Sequence, residues 1–215
     1  MLARLNKFFM PRKLIQLSAQ LTVFLFLIAC GGGGSESGGE QVQPPPAPKT
    51  TVVAIGDSIG NGFDIATPWP SILGGKINRE VINMSVTNER TRFGVTVIDQ
   101  LIDAHNPSHV FILLGTNDAL RHESLSGAVN NLQAMVDIAR ARDVIPIVGT
   151  LPPLTIGVQE NRNVDTINRG IRRLSNAVIA PVRSALGNGS TIIDGVHPNQ
   201  EGQELIADAF ASVYP

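Results

Sequence analysis

The chain alternates short, densely apolar runs with longer segments in which apolar residues recur every three or four positions. Five runs read as buried strands: Thr51 to Ile55, Glu80 to Met84, Ser108 to Leu114, Val144 to Gly149 and Thr191 to Ile193. Between them lie segments of helical period. Ser126 to Ala141 carries Val129, Leu132, Met135, Val136 and Ala139 on one face, and Thr166 to Ile179 carries Ile167, Ile171, Leu174 and Val178. A last helix from Pro198 carries Leu205, Ile206, Ala209, Phe210 and Val213, with the proline suited to its first turn. Phe93 to Ile102 gives a weaker helix and Pro70 to Ile77 a short one. Apolar strands alternating with amphipathic helices predict an α/β domain whose mainly parallel sheet is covered on both faces.

In an open parallel sheet, ligands lie outside the carboxyl ends of the strands. Four polar pieces follow predicted strands there: Gly56-Asp57-Ser58 after the first, the Asn88 loop after the second, Gly115-Thr116-Asn117-Asp118 after the third, and Asp194-Gly195-Val196-His197 after the fifth. Each alone is also an ordinary turn or helix cap. Together they supply the parts of a nucleophilic site. A serine hydroxyl is a weak nucleophile and needs a base held by a third group, so Ser58 is the candidate nucleophile, His197 the base and Asp194 its orienter. The Ser58 backbone N–H and the Asn117 side chain are candidate donors to an oxyanion, each worth roughly 3 kcal/mol of barrier. His105, His109 and His122 have no acid at suggestive spacing and read as surface residues. Ile59, Phe63, Trp69, Pro70 and the loop Leu151 to Ile156 are placed to line an acyl pocket, and serve equally as ordinary core.

The first 50 residues change the picture. Arg4, Lys7, Arg12 and Lys13 precede the mostly apolar stretch Leu14 to Ala29, and no acid occurs before Glu36. That stretch is short for a bilayer span of roughly 20 residues and has the pattern of an export signal, residues 1–29. Leu27-Ile28-Ala29-Cys30 resembles the lipobox of bacterial lipoproteins, which implies lipid on Cys30, the sole cysteine of the chain. Gly31 in place of an aspartate implies the outer membrane if the source is Gram-negative. Residues 30–50, rich in glycine and then proline, read as a tether with a reach of roughly 25 Å. The remaining 165 residues, 51–215, suffice for one well-buried domain. From Cys30 onward, 13 basic residues face 18 acidic ones, a formal charge of −5, which argues against nucleic acid as a partner. The pair Arg172-Arg173 is the lone basic cluster there and reads as a solvated helix face. There is no internal repeat and no metal-ligand spacing, and none of the expected chemistry requires a metal or organic cofactor.

Gly56-Asp57-Ser58, Gly115-Thr116-Asn117-Asp118 and Asp194-x-x-His197-Pro198, in that order, resemble the blocks of the SGNH, or GDSL-like, hydrolases. The resemblance implies a three-layer α/β/α sandwich with a five-stranded, flavodoxin-like parallel sheet. It also implies Ser58 as nucleophile and first oxyanion donor, Asn117 as a further donor, His197 as base and Asp194 as its partner. The second block departs from the pattern: where the family has a glycine, Asn83-Met84-Ser85-Val86-Thr87 leads to Asn88. Asparagine tolerates left-handed backbone angles and keeps its amide, so Asn88 is the candidate replacement; Glu89 and Arg90 beside it are either pocket-shaping or solvated. The resemblance to periplasmic esterases, thioesterases, arylesterases and lysophospholipases implies a small acyl ester or lysophospholipid as substrate. Deacetylation of an envelope polysaccharide or peptidoglycan is the second enzymatic reading. A noncatalytic binding lipoprotein on the same fold is the alternative from another class.

Overall fold

The computed structural model of the chain describes residues 49–63 and 67–215. The expected signal, Cys30 and the tether as far as residue 48 lie outside the described residues. In chain order the elements are β1 (Val52–Gly56), α1 (Ser58–Asn61), α2 (Trp69–Ile77), β2 (Val81–Asn83), α3 (Thr91–His105), β3 (His109–Leu113), α4 (Thr116–Leu120), α5 (Leu125–Ala141), β4 (Ile145–Gly149), α6 (Val158–Ile171), β5 (Val178–Ala180), α7 (Val182–Ala185) and α8 (Gln200–Ala211).

All strand pairs are parallel, in the order β2-β1-β3-β4-β5. Parallel strands need crossovers, and right-handed crossovers running outward both ways from β1 put their helices on opposite faces. Accordingly α3, α5 and α6 pack side by side on one face, and α2, α8 and α7 on the other. This is the three-layer, flavodoxin-like arrangement that the family resemblance implied. Every residue of β1 and β3 is buried, as befits strands covered on both sides. Trp69 of α2 stacks on Phe210 of α8 with ring centroids 4.6 Å apart, and Phe111 of β3 meets Phe210 edge-on at 5.5 Å.

Three expectations need correction. The fifth strand is Val178–Ala180, not Thr191 to Ile193, and the helix expected over Thr166 to Ile179 is α6, Val158–Ile171. The apolar spacing of Leu174 and Val178 continues the helical period, but the chain turns at Arg172–Asn176. Helix α6 closes at Arg172, and Asn176, at φ +60°, turns the chain into the short edge strand. Thr191 to Ile193 instead forms a tight loop folded on Pro198–Asn199, with Ile192 bridging Pro198 and Asn199 N–H donating to Thr191 O at 2.7 Å. The segment Asp194–His197 thus reaches the carboxyl edge without a preceding sheet strand.

His109 is buried, not superficial. It opens β3 opposite Val52, its Nδ1 lies 2.9 Å from Ser108 Oγ, and its ring packs on Tyr214. Burial lowers its pKa and favours the neutral ring. His122 is exposed and faces Glu160 at 3.5 Å, an acid brought near by α6 and not by sequence spacing.

A buried glutamine locks the two sides of the β1 turn to α8. Gln203 accepts from Trp69 N–H at 2.9 Å and donates to Ile59 O at 3.1 Å. Both partners are backbone groups of buried residues, and losing the side chain leaves each without its partner. Gln203→Ala should lower unfolding free energy by about 2–4 kcal/mol in urea titration, since each abandoned group costs about 1–3 kcal/mol. A loss below about 0.5 kcal/mol would show that the lock is dispensable.

Candidate active site

The parallel sheet changes direction of winding between β1 and β3, and the site lies outside their carboxyl ends. Register aligns Gly56 with Leu113, so both strands end at one level. From β1 the chain turns through Asp57 into α1, whose first residue is Ser58. From β3 it turns through Gly115, at φ +130°, into α4, which carries Asn117. That φ favours glycine, and a side chain there would also press on Leu151.

Ser58 is nearly buried, and its Oγ lies 2.9 Å from His197 Nε2. His197 Nδ1 lies 2.6 Å from Asp194 Oδ2, while Asp194 Oδ1 accepts from the backbone N–H groups of Val196 (2.9 Å) and His197 (2.7 Å). The structure therefore brings Ser58, His197 and Asp194 into one hydrogen-bonded series. The turn that makes this possible depends on Gly195, at φ +90°, where a Cβ would stand 2.8 Å from Ile156. Thr155 N–H clamps the same turn through Gly195 O at 2.9 Å. Burial works against ionisation of Asp194, but the backbone and ring hydrogen bonds from His197 and the Val196 N–H outweigh it and bring its pKa down to about 2. Asp194 is therefore a carboxylate at any ordinary pH. Phe63 lies on the His197 ring, centroids 4.3 Å apart and planes 22° from parallel.

Asn117 and Asp118 knit the loop after β2 to the end of β3. Asn117 Nδ2 donates to Glu89 O at 3.0 Å and lies 3.5 Å from Asp57 Oδ2. Asp118 accepts from Thr91 N–H at 3.0 Å and from its hydroxyl at 2.7 Å, capping the start of α3. Asn88 has φ +68°, the left-handed conformation that a glycine would adopt, and its Oδ1 accepts from Arg121 at 3.2 Å. Arg90 pairs with Glu123 across the same loops. The N–H groups of Ser58 and Asn88 have no hydrogen-bond partner among the described residues.

Ser58, Phe63, Thr87, Asn88, Thr116, Asn117, Leu120, Val196 and His197 line a cleft of about 230 Å³. Of the side chains expected to line a pocket, Phe63 does so. Ile59, Trp69, Pro70, Leu151 and Leu154 are instead buried in the core, because α1, α2 and the loop after β4 turn their apolar sides inward. Val196 and Leu120 were not singled out by sequence; Val196 lies between two residues that were. Among the described residues no three His, Cys, Asp or Glu side chains are gathered as for a metal ion.

A hydroxyl, imidazole and carboxylate in series can move a proton away from the hydroxyl, and free N–H groups beside it can meet developing negative charge. Residues 54–205 match the GDSL-like lipase/acylhydrolase family, and the chain belongs to that family of hydrolases. The thioesterase 1/protease 1/lysophospholipase L1 of Escherichia coli strain K12 is 25% identical over 173 residues, which cover 77% of this chain and 83% of that protein. An arylesterase of Vibrio mimicus is 27% identical over 172 residues, covering 74% and 86%. Among solved structures, a G-D-S-L family lipolytic protein from Desulfitobacterium hafniense DCB-2 superposes with a TM-score of 0.68 at 24% identity, covering 77% of this chain and 100% of that one. An acetylxylan esterase from Geobacillus stearothermophilus gives 0.67 at 19%, covering 76% and 93%.

Asp57 has a different electrostatic situation. It caps α1 through Ile59 N–H at 3.0 Å and is buried. Burial pushes its pKa up to about 7, against the opposing pull of that hydrogen bond and of His197. A carboxyl whose pKa is raised on folding stabilises the fold below the unfolded value of 3.8, and that contribution is lost as pH rises through about 7. Asp57→Asn keeps an acceptor for Ile59 and removes the titration. Its melting temperature should therefore rise relative to the parent chain between pH 4 and pH 8; a difference that stays constant with pH would refute the assignment.

Proposed function

We infer that this chain is a serine esterase that hydrolyses acyl esters, lysophospholipids among them, through an acyl-enzyme at Ser58. The observation that carries the reading is the series Ser58 Oγ, His197, Asp194, at 2.9 and 2.6 Å, opening on a cleft. Ser58 Oγ attacks the ester carbonyl while His197 Nε2 takes its proton, and Asp194 holds the ring by Nδ1 and balances its charge. The carbonyl oxygen becomes an oxyanion facing the N–H groups of Ser58 and Asn88 and the Asn117 amide. His197 then passes the proton to the departing alcohol. A water, deprotonated by the same imidazole, releases the acid and restores Ser58.

Names of the relatives support the substrate class, and the acetylxylan esterase of the same fold supports a second reading, removal of acetyl groups from a polysaccharide. A fluorophosphonate probe should label the full chain, with labelling abolished in Ser58→Ala and hydrolysis of p-nitrophenyl acetate reduced at least ~10⁴-fold. A folded parent chain that takes no label would sink the esterase reading in favour of a binding protein. Rates across p-nitrophenyl esters from acetyl to palmitoyl separate the two enzymatic readings: activity confined to acetyl favours the deacetylase.

The signal pattern and Cys30 support a lipid-anchored protein of the cell envelope, at the outer membrane facing the periplasm or the surface. Cys30→Ser should abolish palmitate incorporation and move the protein out of the membrane fraction of its host. Retention of the label would overturn the anchor.

A further inference from the structure

Among the described residues, five large apolar side chains are exposed: Phe63 at 49%, Val86 at 41%, Ile156 at 59%, Val158 at 72% and Ile193 at 55%. All five stand at the carboxyl edge of the sheet. Val86 N–H donates to Gly56 O at the end of β1, which places Val86 beside Thr87 and Asn88 of the cleft wall. Phe63 lies on His197, Ile156 packs over Gly195, Val158 follows two residues later, and Ile193 N–H donates to His197 O at 3.0 Å. Helices α3, α5 and α8 show no side chain of this kind to solvent, although they make up much of the remaining surface. Chance would scatter such residues singly over the molecule; a set confined to one edge marks an interaction surface.

We propose that this edge seats on a lipid surface, so that the cleft receives its ester directly from that surface. The inference rests on the esterase reading of the same site. The position of the five residues selects the occupant. Phe63 lines the cleft, and Val86, Ile156 and Ile193 adjoin residues that do, so a protein partner or a second copy there would hinder substrate, while a lipid layer delivers it. Their chemistry agrees: four aliphatic chains and one phenylalanine. Among the charges nearby, Arg90 is paired with Glu123, while the exposed Arg162 lies beside Ile156 and Val158. The formal charge of −5 from Cys30 onward directs the choice to a zwitterionic surface over an anionic one.

The test compares the full chain with its Val158→Ser/Ile193→Ser variant, two exposed positions outside the catalytic series. Substrates are p-nitrophenyl acetate in solution and p-nitrophenyl dodecanoate carried in phosphatidylcholine vesicles. The expected result is an unchanged rate on the acetate and a rise of about tenfold in KM, as lipid concentration, on the vesicles. Amide exchange with and without the vesicles gives a readout free of catalysis and of any anchor: residues 155–158 and 191–196 should gain protection in the parent chain and not in the variant. Equal losses on both substrates, or no protection of those amides, would overturn the proposal. So would a parent chain that dimerises where the variant does not, since the edge would then be covered by a second copy. If the parent chain hydrolyses neither ester, the esterase reading fails and amide exchange alone decides the docking.

Discussion

The register of β1 on β3 is the constraint from which the site follows. Gly56 faces Leu113, and beyond that pair neither chain continues as strand. Two residues on stands Ser58, and four on from Leu113 stands Asn117. A shift of one residue would turn every side chain of the strand to the opposite face and move Ser58 away from His197. Such a shift is strongly opposed, because all ten residues of the two strands are buried between helices and their apolar contacts fix the alignment.

Around this pair the loops are fixed by polar groups that satisfy one another and not by apolar packing. Asn117 grips the backbone of Glu89, Asp118 caps α3 at Thr91, Arg121 reaches Asn88 and Asp57 caps α1. Three loops that share no strand thereby hold a common geometry. The arrangement has a cost, since Asp57 is buried beside Ser58, and burial raises its pKa. Polar networks of this type hold a site rigid only when each member is paired.

Much of this was legible in the sequence, because strongly apolar β1, β3 and β4 and the periodic α5 and α8 follow from local pattern. The polar blocks at strand ends were legible for the same reason: residues such as Gly56 and Gly115 interrupt apolar runs where the sheet must end. What failed has identifiable causes. β5 is three residues long at the sheet edge, too short to show a period, and it follows a segment whose spacing imitates a helix. The Asp194 loop looked like a strand end because Thr191 to Ile193 is β-branched throughout, yet its hydrogen bonds go to Pro198 and Asn199. The role of Asp118 as a cap for α3 depends on a contact across 27 residues, which spacing cannot reveal. Ile59 and Trp69, which follow Ser58 in α1 and α2, are buried because those helices turn their apolar sides to the core, Trp69 stacking on Phe210.

Phe63 on the imidazole has a consequence for motion. A histidine ring that rotates about its outer bond by half a turn exchanges its two nitrogens for carbons, and a proton carrier in that state is useless. Asp194 opposes such a flip from one nitrogen, but its carboxylate is 42% exposed and water competes for it. The phenyl ring, 4.3 Å away and nearly parallel, removes the space through which the imidazole would have to swing. The orientation of the ring is thus held by attraction at its edge and by exclusion over its face, and the second of these does not weaken with salt or pH.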